Sequence, residues 1–126
     1  MQTKKGFTLV EILIVVIILG VLAAVAVPRF IDLQANAKRR AIDAAISELN
    51  SREKLVWIDQ KLLHDNFPGD FILFSQLNTD LGNADDWEWA PMNPVSSGGT
   101  LSFRGEELIL IRAASTTVHP GVWRKP

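Results

Sequence analysis

The sequence has no cysteine, only two histidines and no surplus of either charge: among 126 residues, 13 Lys and Arg face 14 Asp and Glu, a formal charge of −1. Without cysteine there is neither a disulfide framework nor a thiolate nucleophile, and a zinc site would have to be built from His64, His119 and carboxylates. There is no long basic run to suggest nucleic acid as the main partner, and none is expected. Two further absences are local. Residues 12–27 hold no charged or polar side chain, and residues 29–67 hold neither glycine nor proline.

The first of these stretches belongs to an apolar run over residues 7–27, in which fifteen of 21 residues are Leu, Ile, Val or Phe. As a helix the run measures about 31 Å, the thickness of a hydrocarbon core. Its side chains favour insertion by about 5 to 9 kcal/mol, against a cost of about 3 kcal/mol for one charge in the span. The many β-branched residues would favour a strand in water, but a lipid-exposed span must satisfy its own backbone, so a helix is expected. The one charge is Glu11, and a carboxylate in hydrocarbon calls for a partner or a purpose. Lys4 and Lys5, an apolar core over residues 12–22 and Ala24-Val25-Ala26 also fit a cleavable secretory signal. That alternative leaves Glu11 unexplained and discards a span that the following helix pattern continues.

Lys4-Lys5-Gly6-Phe7-Thr8-Leu9-Val10-Glu11, the uninterrupted apolar run and then Pro28 together resemble the class III signal of type IV prepilins and pseudopilins. The resemblance implies that a prepilin peptidase cuts between Gly6 and Phe7 on the cytoplasmic side and methylates the Phe7 amine. It implies that residues 7–27 remain as an inner-membrane anchor with the head outside, and that Glu11 pairs with the N-terminal amine of a neighbouring subunit in a filament. Pro28-Arg29-Phe30-Ile31-Asp32-Leu33-Gln34 is similar to a stretch of mannose-sensitive haemagglutinin-type pilins, a type IVa branch; many of those have a C-terminal cysteine pair, which this chain lacks. Gly20 and Pro28 bound the weakest stretch of the helix, where a kink is expected and, by resemblance, local unwinding on assembly.

Beyond Pro28, Ala35, Ile42, Leu49, Val56 and Leu63 recur every seven residues, with Ala45 and Ile46 beside them, as in an amphipathic helix with one buried face. Arg39, Arg40, Asp43, Asn50 and Lys54 read as the solvated face, and Glu48 with Arg52 has the favourable i,i+4 order. Asn66-Phe67-Pro68-Gly69 ends the helix, residues 71–77 form a short apolar patch, and residues 78–99 read as loop. Residues 100–104 and 107–113 flank Gly105 as a β-hairpin, and Leu108-Ile109-Leu110-Ile111 is apolar on both faces, so that strand should be central or covered. A third strand is expected over residues 116–119, ahead of Pro120.

The expected fold is α+β: a long N-terminal helix, membrane-spanning in its first half and amphipathic in its second, packed on a small antiparallel sheet. Four segments follow: a leader over residues 1–6, a transmembrane or filament-core helix over 7–27, its amphipathic continuation over 28–63 and a head over 64–126.

Little in the head points to chemistry. Asp80, Asp85, Asp86 and Glu88 surround Trp87 and Trp89 and are candidate calcium ligands, though their spacing fits no EF-hand. By resemblance, some pseudopilins hold a C-terminal loop with calcium where pilins use a disulfide. His64 and His119 read as structural, and Ser96-Ser97-Gly98-Gly99 lacks the pattern of a nucleophile elbow. No enzyme and no cofactor other than calcium is expected. The expected role is a filament-forming structural subunit whose partners are its own copies, the inner membrane, prepilin peptidase and an assembly platform. A type II secretion pseudopilin, acting in the periplasm, and an anchored or secreted binding domain are the alternatives.

Overall fold

The computed structural model describes residues 6–63, 67–83 and 85–126. One helix, α1, runs Leu9–Leu63 and continues through Gly20 and Pro28; a second, α2, covers Asp70–Gln76. The strands are β1 (Trp87–Pro91), β2 (Gly98–Phe103), β3 (Glu106–Ala113) and β4 (Val122–Arg124), in the antiparallel order β1-β2-β3-β4. Two compact units result, one ending at Ala37 and the other Lys38–Pro126. In the first, the helix satisfies its own backbone and exposes its side chains all round; by length and composition it can cross a membrane.

In the second unit the helix lies on the sheet. Ile42, Ala45 and Leu49 meet Leu101, Leu110 and Trp123 in a single core, flanked by Val56, Trp87, Trp89, Phe103 and Leu108. Side chains alternate across a strand, so Leu110 and Arg112 face the helix while Ile109 and Ile111 face the other way. The expected hairpin is β2-β3. Its two-residue turn, Arg104-Gly105, has positive φ at both positions, which suits the twist of the strands and favours glycine at the second. Arg104 is held there by Asp86, whose carboxylate accepts from its Nε at 2.6 Å, and by Lys38 Nζ, which donates to its carbonyl at 2.9 Å.

Four expectations need correction. Residues 116–119 form a turn, and the last strand begins after Pro120, at Val122. The stretch 78–99 contains β1 and a short 3₁₀ turn at Val95–Ser97. Leu63 is exposed, because a seven-residue repeat falls behind a 3.6-residue helix by about 20° each time; on either side of the half-buried Val56 the buried positions are Glu53 and Gln60, which lie outside the repeat. Asn50 is not on the solvated face: Trp123 N–H donates to its Oδ1 at 2.7 Å and its Nδ2 donates to the Trp123 carbonyl at 3.0 Å.

The deepest polar group is Arg112, whose side chain is fully buried. Its Nε donates to Glu53 Oε2 at 3.1 Å and its Nη2 to Glu53 Oε1 and to Asp70 Oδ1, the latter at 2.8 Å. Its Nη1 donates to Asp70 Oδ2 at 2.9 Å and to the Ser96 carbonyl at 3.1 Å. All donors of the guanidinium fork are therefore used. Trp123 Nε1 donates to Glu53 at 3.0 Å, and Ser115 donates its N–H and hydroxyl to Asp70 at 2.6 and 2.5 Å. Gly121 fits because any Cβ there would strike the Glu53 carboxylate and Arg112 Nη2. Burial pushes the Asp70 carboxyl up, but the hydrogen bonds from Arg112 and Ser115 and the Arg112 charge outweigh it and hold it below its ordinary value.

Removing the cation strands two carboxylates, so Arg112→Met is expected to destabilise the head by about 3 to 5 kcal/mol, read as a lower thermal midpoint in near-UV circular dichroism of the detergent-solubilised chain. Asp70→Asn tests the linkage. A lowered carboxyl pKa contributes stability above the unfolded value and loses it as pH falls through the folded one. The deficit of Asp70→Asn against the parent should therefore be largest near neutrality and shrink below about pH 4; a deficit constant with pH would remove Asp70 from the charge cluster.

Candidate functional site

The features that point outward lie at the start of α1. Gly6 and Phe7 precede the helix in non-helical conformation, both exposed, and no atom crowds Gly6. Thr8 is the residue before the first helical one, and with Glu11 three residues on it forms a reciprocal cap. Glu11 N–H donates to Thr8 Oγ1 at 3.2 Å, while Thr8 N–H and Oγ1 donate to Glu11 Oε2 at 3.2 and 3.4 Å. The carboxylate thus satisfies a backbone donor that no helical carbonyl could reach, at the helix end whose dipole favours negative charge. It is a fixed acceptor beside the Gly6-Phe7 junction.

Around this polar point everything is apolar. Phe7 and Leu9 are more than four-fifths exposed, and with Ile12, Leu13 and Val16 they line an open groove of about 450 Å³. Gly20 has open space about it, and Pro28 stands within the helix. The sequence contained the signal for the cap, a Thr-x-x-Glu at the head of an apolar run. Glu11 alone stands out in that motif by its charge, whereas the role of Thr8 depends on the cap geometry.

The remaining candidates do not converge. Among the described residues no group of three or more His, Asp or Glu side chains comes together. Asp80 Oδ1 accepts from Gly82 N–H at 3.0 Å, its carbonyl accepts from Arg52 at 2.6 Å, and Asp86 serves Arg104. The Arg104 hydrogen bond holds the Asp86 carboxyl below its ordinary value. Asp85 and Glu88 are exposed, Glu88 on the outer face of β1. Trp87 stacks at a tilt on Phe103 and Trp89 packs edge-on against Trp123, so both tryptophans belong to the core wall. His119 lies exposed in the turn before β4, bonded through its backbone to Thr116; His64 lies outside the described residues. Ser97 Oγ donates to the Pro94 carbonyl, and the Ser96 carbonyl serves Arg112.

Comparison with known proteins bears on the same end of the chain. Residues 1–27 match the model of the prokaryotic N-terminal methylation motif. The chain is 42% identical over 57 residues to the type IV narrow pilus major component PilA5 of Thermus thermophilus, covering 45% of this chain and 49% of that protein. It is 44% identical over 51 residues to the type IV major pilin protein PilA of Myxococcus xanthus, covering 40% and 23%, and 45% identical over 51 residues to a fimbrial protein of Pseudomonas aeruginosa, covering 40% and 31%. The matched stretches span less than half of each of these relatives. No solved structure matches the chain.

The cap carries a test of its own. Thr8→Val keeps the side-chain shape and deletes the hydroxyl, at an expected cost of about 1 kcal/mol to the helix start, seen as faster amide exchange at residues 9–11 in micelles. Unchanged exchange would mean that the hydroxyl does not order this turn.

Proposed function

We propose that this chain, whose N-terminal segment is that of a type IV pilin, is a structural subunit of a type IV pilus-like extracellular filament. The relatives are pilus components by name, which favours a structural over a catalytic role. Prepilin peptidase cuts between Gly6 and Phe7 and methylates the new amine, leaving 120 residues. Residues 7–27 anchor the subunit in the inner membrane, N-terminus cytoplasmic and head outside, until an assembly platform draws it into the fibre.

The observation that carries this reading is a helix that exposes apolar surface where a lone soluble protein would not. Residues 12–27 have no polar side chain, and every large apolar residue among them is at least half exposed. Within the second unit the helix has another exposed apolar stripe, Leu55, Ile58 and Leu62, spaced by three and four residues. Such surface is stable in lipid or against other helices, and a filament built by helix packing supplies both in turn.

Glu11 then has two successive partners. In the stored subunit the Thr8 cap offsets part of the cost of an anion in hydrocarbon; in the filament the methylated Phe7 amine of a neighbour adds the opposite charge. Gly20 and Pro28 mark where the helix is weakest and where it loosens as the subunit leaves the membrane.

Two experiments test this. Mass spectrometry of the membrane-extracted chain should find an N-methylated Phe7 at its start, and Gly6→Val should leave full-length precursor; a start at Val27 would mean a secretory signal instead. Glu11→Ala and Glu11→Gln should insert at least as well as the parent and fail to assemble, and in mixed expression the variant subunits should be rare in sheared fibres. Fibres rich in Glu11→Ala at normal yield would make the carboxylate a passenger.

A further inference from the structure

We draw no further inference here: the strongest candidate, the cavity of about 120 Å³ lined by Trp87 and Trp89 of β1, residues 79–82 and Leu101, is walled by indoles that pack against Phe103 and Trp123 in the core, and nothing in the structure shows what would fill it.

Discussion

One buried cation organises the head. Arg112 comes from the central strand, Glu53 from the long helix, Asp70 from the short one and the Ser96 carbonyl from the turn before β2, so four separate parts of the chain meet at one guanidinium. Trp123 and Ser115 fill the remaining positions on the two carboxylates. Buried ion clusters seldom add stability over an apolar packing of the same shape, but a partly assembled one is expensive. Specificity follows from that asymmetry. Any register of helix on sheet that separates Glu53 from Arg112 leaves charges without partners in a dry site. Apolar contacts between Leu49, Leu101 and Leu110 would tolerate a small slide; the fork of Arg112 does not.

The same helix answers to two different surroundings. Up to Ala37 it stands alone and needs only to satisfy its backbone, which it does through regular helical bonds and the Thr8-Glu11 cap. Beyond that, its side chains select the sheet. This division explains why polar groups are so unevenly used. Glu11 closes a helix end, where a carboxylate is electrostatically favoured, whereas Glu53 sits mid-helix and depends on donors from other elements, the Arg112 cation and the Trp123 indole N–H.

The long helix and the hairpin could be read from sequence because their signals are local: heptad spacing over residues 35–56, absence of glycine and proline over 29–67, and Gly105 between two apolar runs; the seven-residue α2 showed only as an apolar patch. β1 was hidden by its setting. Trp87 and Trp89 alternate with Glu88 and Ala90 as a strand should, but Asn, Asp and Pro on either side read as loop. β4 was misplaced because three residues after a proline carry almost no periodic signal, and its position is fixed by Asn50, 73 residues earlier. The Arg112 cluster was illegible for the same reason, its partners being 59 and 42 residues away. One clue was available: Glu53 and Gln60 fall on the continuation of the buried stripe, and a charged residue in such a phase needs a partner. Gly6, Phe7 and Glu11 were legible as parts of a motif, while the hydrogen bonds of Thr8 with Glu11 emerged only from geometry.

The side chain of Asn50 has a consequence beyond fixing β4. The last strand stands at the margin of the sheet, and an unsatisfied margin is a template on which a further strand, from any copy of the same chain, can grow. By taking both the N–H and the carbonyl of Trp123, the amide of Asn50 occupies the positions that an incoming strand would need. The opposite margin ends in Pro91, which has no N–H to offer. At these two positions, Trp123 and Pro91, the sheet margins offer no free backbone donor to an incoming strand, which lowers their capacity to template backbone-paired stacking.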